Sequence, residues 1–210
     1  MLLNYPAQLH DTARTELLPP HAFLGSAVRE QELPPDIADW LAADSEKPVV
    51  YVSFGSFLSV RADVLARVAQ ALRTLPVRVA LALGSADRAV VGELPGSWLV
   101  REFLPQVAIL EHTKIAVTHG GNNSVTEALT SGVPMLVLPF STDQFAGAEA
   151  IEAAGVGAVL DPNSVSPGEI RSALEVLLAR QSGRGAAELG AQLRDKPGRQ
   201  RAWEAMMSGT

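Results

Sequence analysis

Thr118-His119-Gly120-Gly121-Asn122-Asn123-Ser124 stands between the apolar run Ile115-Ala116-Val117 and the helical pattern Val125-Thr126-Glu127-Ala128-Leu129. A buried strand that turns on glycines directly into a helix is the repeating joint of an open α/β sheet. It leaves free backbone N–H groups and the positive end of a helix dipole pointing at one place, and phosphate is the expected guest. The dinucleotide pattern G-x-G-x-x-G and the P-loop lysine pattern are both missing, so nicotinamide and nucleoside-triphosphate readings lose support. Ser124 and Glu127 also satisfy S-x-x-E, so they could serve only as a capping box at the helix start. His119 could be a packed histidine donating to a nearby carbonyl, but its place beside Gly-Gly at a strand end suits contact with a phosphate.

Outward from this loop, short β-branched runs alternate with helical patterns. The runs are Val49 to Phe54, Val77 to Leu83, Trp98 to Val100, Ile115 to Thr118, Met135 to Leu138 and Val156 to Leu160. Between the first two, Val64, Leu65, Val68, Ala71, Leu72 and Leu75 recur at helical spacing. The alternation predicts a doubly wound α/β fold: a mostly parallel sheet whose strands are buried on both faces by helices. Residues 1–47 are rich in proline and charge, with Pro19-Pro20 and Pro34-Pro35 as breakers, and read as an arm ahead of one domain over 48–210. Past Asp161, helical patterns run from Pro167 to Arg180, Gly185 to Arg194 and Arg199 to Met207. The basic residues clustered there read as solvated helix faces.

Composition narrows the function. The chain has 210 residues and a formal net charge of -6, which disfavours nucleic acid as a partner. It has no cysteine, so disulfides, thiolate metal sites and a cysteine nucleophile are all excluded. The start, Met1 to His10, lacks a secretory pattern, and the apolar stretch Val133 to Phe140 is too short to span a bilayer. A soluble, cytoplasmic protein is the expectation.

Three further loops sit where ligands bind in such sheets, beyond the carboxyl ends of strands. Ser53-Phe54-Gly55-Ser56 offers a glycine for close approach and a hydroxyl, or is an ordinary turn. Phe103-Leu104-Pro105-Gln106 offers an aromatic face and an amide, which suit a nucleobase, or places an aromatic into the core. Asp143-Gln144, after Pro139-Phe140-Ser141-Thr142, pairs a carboxylate with a carboxamide that could read vicinal hydroxyls, or supplies an N-cap acid with a solvent-facing Gln.

Taken in order and at their spacing, Phe103-Leu104-Pro105-Gln106, Leu110, His112, Thr118-His119-Gly120-Gly121, Asn123-Ser124, Glu127, Gly132-Val133-Pro134, Pro139 and Asp143-Gln144 resemble the signature box of the UDP-sugar-dependent glycosyltransferases of the GT-B fold. The resemblance implies roles. Phe103 would stack on uracil, the Leu104 backbone would read the base edge, Gln106 would face base and ribose, and Glu127 would hold the ribose hydroxyls. His119, Gly121, Asn123, Ser124 and Ser56 would hold the diphosphate, and Asp143 and Gln144 the sugar hydroxyls. Two positions depart from the family: Phe103 stands where Trp is more usual, and Gly120 and Asn122 replace the Cys and Trp of the plant enzymes.

The resemblance further implies an inverting transferase whose donor is a UDP-sugar, with no other cofactor, acting on a small hydrophobic or natural-product acceptor. No Asp-x-Asp pair occurs, which goes with a metal-independent reaction. Its catalytic base would be a histidine in an N-terminal acceptor domain, and neither His10 nor His21 has a recognisable acidic partner here. The expectation is therefore the donor-binding half of a longer transferase. The alternatives are a non-catalytic donor-binding subunit of a two-chain transferase and a nucleotide-sugar epimerase; the box is not the epimerase pattern.

Overall fold

The computed structural model describes residues 1–44, 46–55, 61–179 and 183–207. Six parallel strands form the main sheet: β3 (Val49–Ser53), β4 (Arg78–Ala82), β5 (Leu99–Arg101), β6 (Thr113–Thr118), β7 (Met135–Val137) and β8 (Gly157–Val159). Their spatial order is β5-β4-β3-β6-β7-β8, so the chain builds outward from β3 to one edge and then returns to β6 on the other side of β3. This is the doubly wound arrangement, with its topological switch between β3 and β6. Ahead of it, β1 (Leu2–Leu3) and β2 (Ala22–Phe23) form a separate two-stranded parallel ladder.

Period-two alternation divides the strand side chains between two cores. Val50 and Val52 of β3, Ile115 and Val117 of β6, and Leu136 of β7 face one cluster, which α3 (Ala62–Leu72) and α8 (Pro167–Ala179) cover. Tyr51, Ala116, Met135 and Val137 face the other. Helices α2 (Pro35–Ala42), α6 (Asn122–Thr130), α7 (Thr142–Ala153) and α9 (Gly183–Asp195) contribute to that second layer. The expectation of burial on both faces holds for β3, β4 and β7 and for most of β6. It fails at the edges, where β5 and β8 are only partly covered. An edge strand has one neighbour and correspondingly less cover.

The arm carries more structure than a connector needs. It holds the ladder β1–β2, a 3-10 turn at Ala7–Leu9, α1 (Thr12–Thr15) and α2. Leu9 and Ile37 are buried in the second core. Arg78 of β4 fixes the end of α2: its guanidinium lies 4.0 Å from the Trp40 ring centroid and donates to the Leu41 and Asp44 carbonyls. A buried arginine is tolerable there because each contact offsets its desolvation.

The chain ends in α10 (Gly198–Met207), after the short helices α4 (Arg88–Val91) and α5 (Gln106–Leu110) earlier in the fold. Its first residue presses on the arm, since the Gly198 N–H donates to the Ser26 carbonyl and a Cβ on Gly198 would lie 2.3 Å from that oxygen. Side chains of the basic cluster are engaged rather than merely solvated, Lys196 among them through an ion pair with Glu204. Arg194 donates to the Thr130 carbonyl at the end of α6, and Arg201 Nε donates to the Lys196 carbonyl at 2.9 Å. Among the described residues no helix is long and apolar enough to cross a membrane.

Helix α9 approaches α6 so closely that only glycine fits at the crossing. A Cβ on Gly190 would sit 2.6 Å from the Leu129 carbonyl oxygen and 2.9 Å from Gly132 Cα, both backbone atoms. Gly190→Ala should therefore lower the urea midpoint with an unchanged m-value, at a cost of about 1–3 kcal/mol for overpacking. A midpoint within error of the parent would mean that the two helices separate without cost.

Candidate functional site

The loops after β3 and β6 leave the sheet at the switch point, where a crevice is expected. Helix α6 begins here with Gly121 as its N-cap, and no side chain caps it. Its first N–H groups therefore lack intrahelical partners and face outward. The S-x-x-E reading fails for a geometric reason: Ser124 and Glu127 lie a turn too far into the helix to cap it, because the helix already starts at Asn122.

His119 joins the two loops. Its ring lies over both glycines: a Cβ on Gly55 would be 3.1 Å from Cε1, and one on Gly121 would be 2.4 Å from Nε2. Gly120 between them has φ of 84°, a left-handed conformation that other residues rarely adopt. His119 Nδ1 is buried and finds no hydrogen-bond partner among the described residues, so the alternative of a packed histidine donating to a carbonyl does not describe it. Burial holds the imidazole below its ordinary pKa, opposed in part by Asp143. The orphaned buried nitrogen thus stands beside a helix N-terminus that no side chain caps.

On the Gly55 side is a cavity of 200 Å³ lined by Tyr51, Ser53, Gly55, Phe103, Leu104 and Gln106 among others. Phe103 is 65% exposed at its wall instead of entering the core, which leaves its face open for stacking. Leu104 is half-buried against the second core. Gln106 opens α5, and its Nε2 donates to Glu127 Oε2 from α6. Glu127 is half-buried and burial raises its pKa, while the Gln106 bond pulls it back. Beneath them Tyr51 is 3% exposed; burial pushes its phenol far up, the Ser53 hydroxyl bonds to it, and Glu127 adds to the rise.

On the Gly120 side is a larger cavity of 640 Å³ whose wall includes Gly120, Asn122 and Asp143. Asp143 and Gln144 stand at the start of α7, whose N-cap is Ser141 and not the acid. Ser141 and Gln144 form a capping box, and Gln144 is buried with Oε1 accepting from the Phe140 and Ser141 N–H groups. Asp143 is exposed, and its carboxyl is held below the usual range by the Ser141 hydroxyl at 2.6 Å, then by backbone N–H groups and His119. The opposite wall comes from the arm: Tyr5, His10, Asp11 and Arg14. Tyr5 lies in Leu2-Leu3-Asn4-Tyr5-Pro6, a stretch that resembles the family less specifically, but nothing in the sequence brings these arm residues to the loop. His10 is already engaged, with Nδ1 2.6 Å from Thr15 Oγ1.

The structure thus brings Phe103, Leu104 and Gln106 to one cavity, with Glu127 bonded to Gln106 at its edge, Gly121, Asn123 and Ser124 to a helix start with His119, and Asp143 to the next cavity. Asn123 is exposed and Ser124 half-buried in the first turn of α6. Ser56 lies outside the described residues.

Comparison with known proteins follows the same lines. The sequence model described as UDP-glucoronosyl and UDP-glucosyl transferase matches residues 11–199. The chain belongs to that family. Within the family, a myricetin 3-O-rhamnosyltransferase of Crocosmia x crocosmiiflora is 36% identical over 170 residues, 75% of this chain and 37% of the relative. A PGL/p-HBAD biosynthesis glycosyltransferase of Mycobacterium tuberculosis is 30% identical over 172 residues, 80% of this chain and 39% of the relative. Among solved structures, the glycotransferase of kitacinnamycin superposes with a TM-score of 0.80 at 28% identity, over 98% of this chain and 53% of that one. The calicheamicin glycosyltransferase CalG4 gives 0.77 at 27% identity, over 99% and 51%. The chain therefore spans about half the length, or less, of these family members, and its sheet is that of the GT-B glycosyltransferases.

His119 makes the fold acid-sensitive. With its folded pKa below 6.5, the unfolded chain takes up the proton first as pH falls. The stability that neutral His119 contributes is present above that value and is lost as pH drops through the folded one. His119→Gln should therefore lose less stability than the parent between about pH 7.5 and 5 in urea titrations. Parallel curves for the two proteins would remove the buried neutral imidazole.

Proposed function

We infer that this chain is the nucleotide-sugar donor-binding half of an inverting glycosyltransferase, with a UDP-sugar as donor. The observation that carries the reading is the row formed by the two cavities with the His119 loop between them. Gly55, against which the His119 ring packs, lines the smaller cavity, and Gly120, next to His119 in the chain, lines the larger. A nucleoside in the first, a diphosphate at the helix start and a hexose in the second would occupy that row in order.

In this reading Phe103 stacks on the base, the Leu104 backbone reads its edge, and Gln106 and Glu127 take the ribose. His119, Gly121, Asn123, Ser124 and Ser56 hold the diphosphate. Asp143 accepts from sugar hydroxyls; the Gln144 oxygen is committed to its cap, so any sugar contact of Gln144 falls to Nε2. Transfer forms a bond from an acceptor hydroxyl oxygen to the anomeric carbon and breaks the bond from that carbon to the β-phosphate oxygen. The acceptor proton goes to a base in the acceptor half. The helix dipole and loop N–H groups stabilise the charge that develops on the leaving diphosphate, so no metal is required for that task. Small natural-product acceptors accord with the names of the relatives, and a partner domain in cis is the simplest complement to a chain of this relative length. A donor-binding subunit served by a separate chain is the alternative.

Glu127 gives a test that separates function from stability. Burial raises its pKa, so as a carboxylate at neutral pH it costs the fold stability, which is regained as pH falls and the group protonates. Glu127→Gln should raise the melting temperature of the empty protein and weaken UDP on the order of tenfold in calorimetric titration, the scale of a hydrogen bond to a charged group. UDP should also bind more tightly than ADP or GDP. Unchanged UDP affinity in Glu127→Gln, or equal binding of ADP and UDP, would overturn the base and ribose assignments.

The chain alone should bind UDP weakly, roughly in the micromolar to millimolar range, because one wall of the cleft contributes. It should release no UDP from a UDP-sugar in response to phenols, macrolactones or sterols, since base and acceptor positioning are both missing. Acceptor-dependent release would place a base in the arm, with His10 at the cavity wall the first residue to replace.

A further inference from the structure

Tyr5 of the arm lines the larger cavity on the wall opposite Asp143, and its backbone is clamped. The Gly25 N–H donates to the Tyr5 carbonyl at 3.2 Å. The preceding residue, Asn4, accepts from the Ala27 N–H through Oδ1 and from Asn122 Nδ2 through its carbonyl, and the following Pro6 is buried. The Tyr5 ring packs against the second core, so the hydroxyl has a fixed place. Burial pushes the phenol above its ordinary pKa, so at neutral pH it keeps its proton and can donate. Among the described residues nothing bonds to that hydroxyl.

Gly147 of α7 shows where the hydroxyl lies. A Cβ on Gly147 would be 3.6 Å from Tyr5 Oη and 3.9 Å from the Gly120 carbonyl oxygen, with nothing nearer. Those are ordinary contact distances, so packing does not demand a glycine there, and glycine inside a helix is less favourable than alanine. What the glycine preserves is a gap between the phenol and the His119 loop. Asp143 stands four residues earlier on the same face of α7, about 5–6 Å away by helix geometry, and lines the same cavity. An acceptor-only carboxylate and a protonated phenol are thus about a turn apart, and the group that satisfies both at once is one that donates and accepts. A sugar hydroxyl does so.

Resting on the donor-site reading above, we propose that Tyr5 is a specificity residue of the sugar subsite: its hydroxyl donates to the oxygen of one donor-sugar hydroxyl whose O–H Asp143 accepts, so that the cavity selects hexoses with a free hydroxyl at that position. A sugar deoxygenated there forfeits both bonds and leaves the phenol and the carboxylate facing an apolar carbon. A site built to bond a hydroxyl rejects the analogue that lacks it far more strongly than an apolar pocket rejects an added one. The base, ribose and diphosphate contacts lie outside this pair, so recognition of the nucleotide and of the sugar are separable.

The test is calorimetric titration of the chain with UDP and with UDP-glucose. Tyr5→Phe removes one oxygen that has no protein partner, so the melting temperature should stay at the parent value. UDP-glucose should weaken about three- to tenfold, the scale of one hydrogen bond, while UDP moves by less than about twofold. Gly147→Ala, which helix propensity favours, fills the gap with a methyl group and should weaken UDP-glucose selectively at an unchanged or higher melting temperature. A UDP-glucose affinity that either variant leaves unchanged, or an equal loss for UDP and UDP-glucose, would overturn the proposal while leaving nucleotide binding intact. So would a parent that binds UDP but not UDP-glucose. A lower melting temperature in Tyr5→Phe would assign the hydroxyl to the fold instead. Failure of the parent to bind UDP at all would overturn the donor-site reading itself, and this proposal with it.

Discussion

The contact of the His119 ring with Gly55 and Gly121 is the constraint on which the site depends. It ties the loop after β3 to the loop after β6 at the one place where the sheet reverses its direction of growth. A side chain on Gly121 would enter the ring, and one on Gly55 would crowd it from a left-handed backbone, so both loops depend on what they lack. The consequence is a helix start that no side chain caps and a histidine nitrogen without a partner among the described residues, both costs that a purely structural loop would avoid. Glu127 adds a third, a half-buried carboxylate. Three unsatisfied or desolvated groups therefore lie close together around the His119 loop, each at a cost to stability.

Much of this was readable in the sequence, for reasons that differ by residue. Central strands β3, β4 and β7 declare themselves because burial on both faces leaves a continuous apolar run. The edges β5 and β8 are short and half-covered, so their patterns blur, though their places survive in the alternation. The helix start at Asn122 was misdirected by Ser124 and Glu127, because S-x-x-E describes spacing and cannot tell a cap from residues one turn inside. Phe103 had two readings that only three-dimensional packing separates, and it is exposed.

The arm was the least legible part. Proline and charge mark breaks in regular structure but do not reveal docking; Leu9 is an isolated apolar position, and the helical spacing of Ile37, Trp40 and Leu41 in α2 does not say what they pack against. Their burial depends on groups far along the chain, such as Arg78 against Trp40 and Gly198 against Ser26. Tyr5, His10 and Arg14 reach the larger cavity only because the arm is pinned this way. Long-range contacts of single residues leave no local signature.

The pairing of β3 with β6 has a kinetic meaning. Val49 meets Thr113 across the sheet, so this ladder closes after β4, β5 and their helices have intervened, and it is among the pairings slowest to find by diffusion of the chain. The contact of His119 with Gly55 crosses that seam, with the smaller cavity lined from the β3-β4-β5 portion and the start of α5 and the larger from the arm and the loops and helix after β6 and β7. A half-folded intermediate of either kind would possess one cavity but not the row. Nucleotide binding would then act as a clock for the closing of the seam, appearing in refolding only after most secondary structure has formed, and a bound nucleotide would hold the two portions together against unfolding.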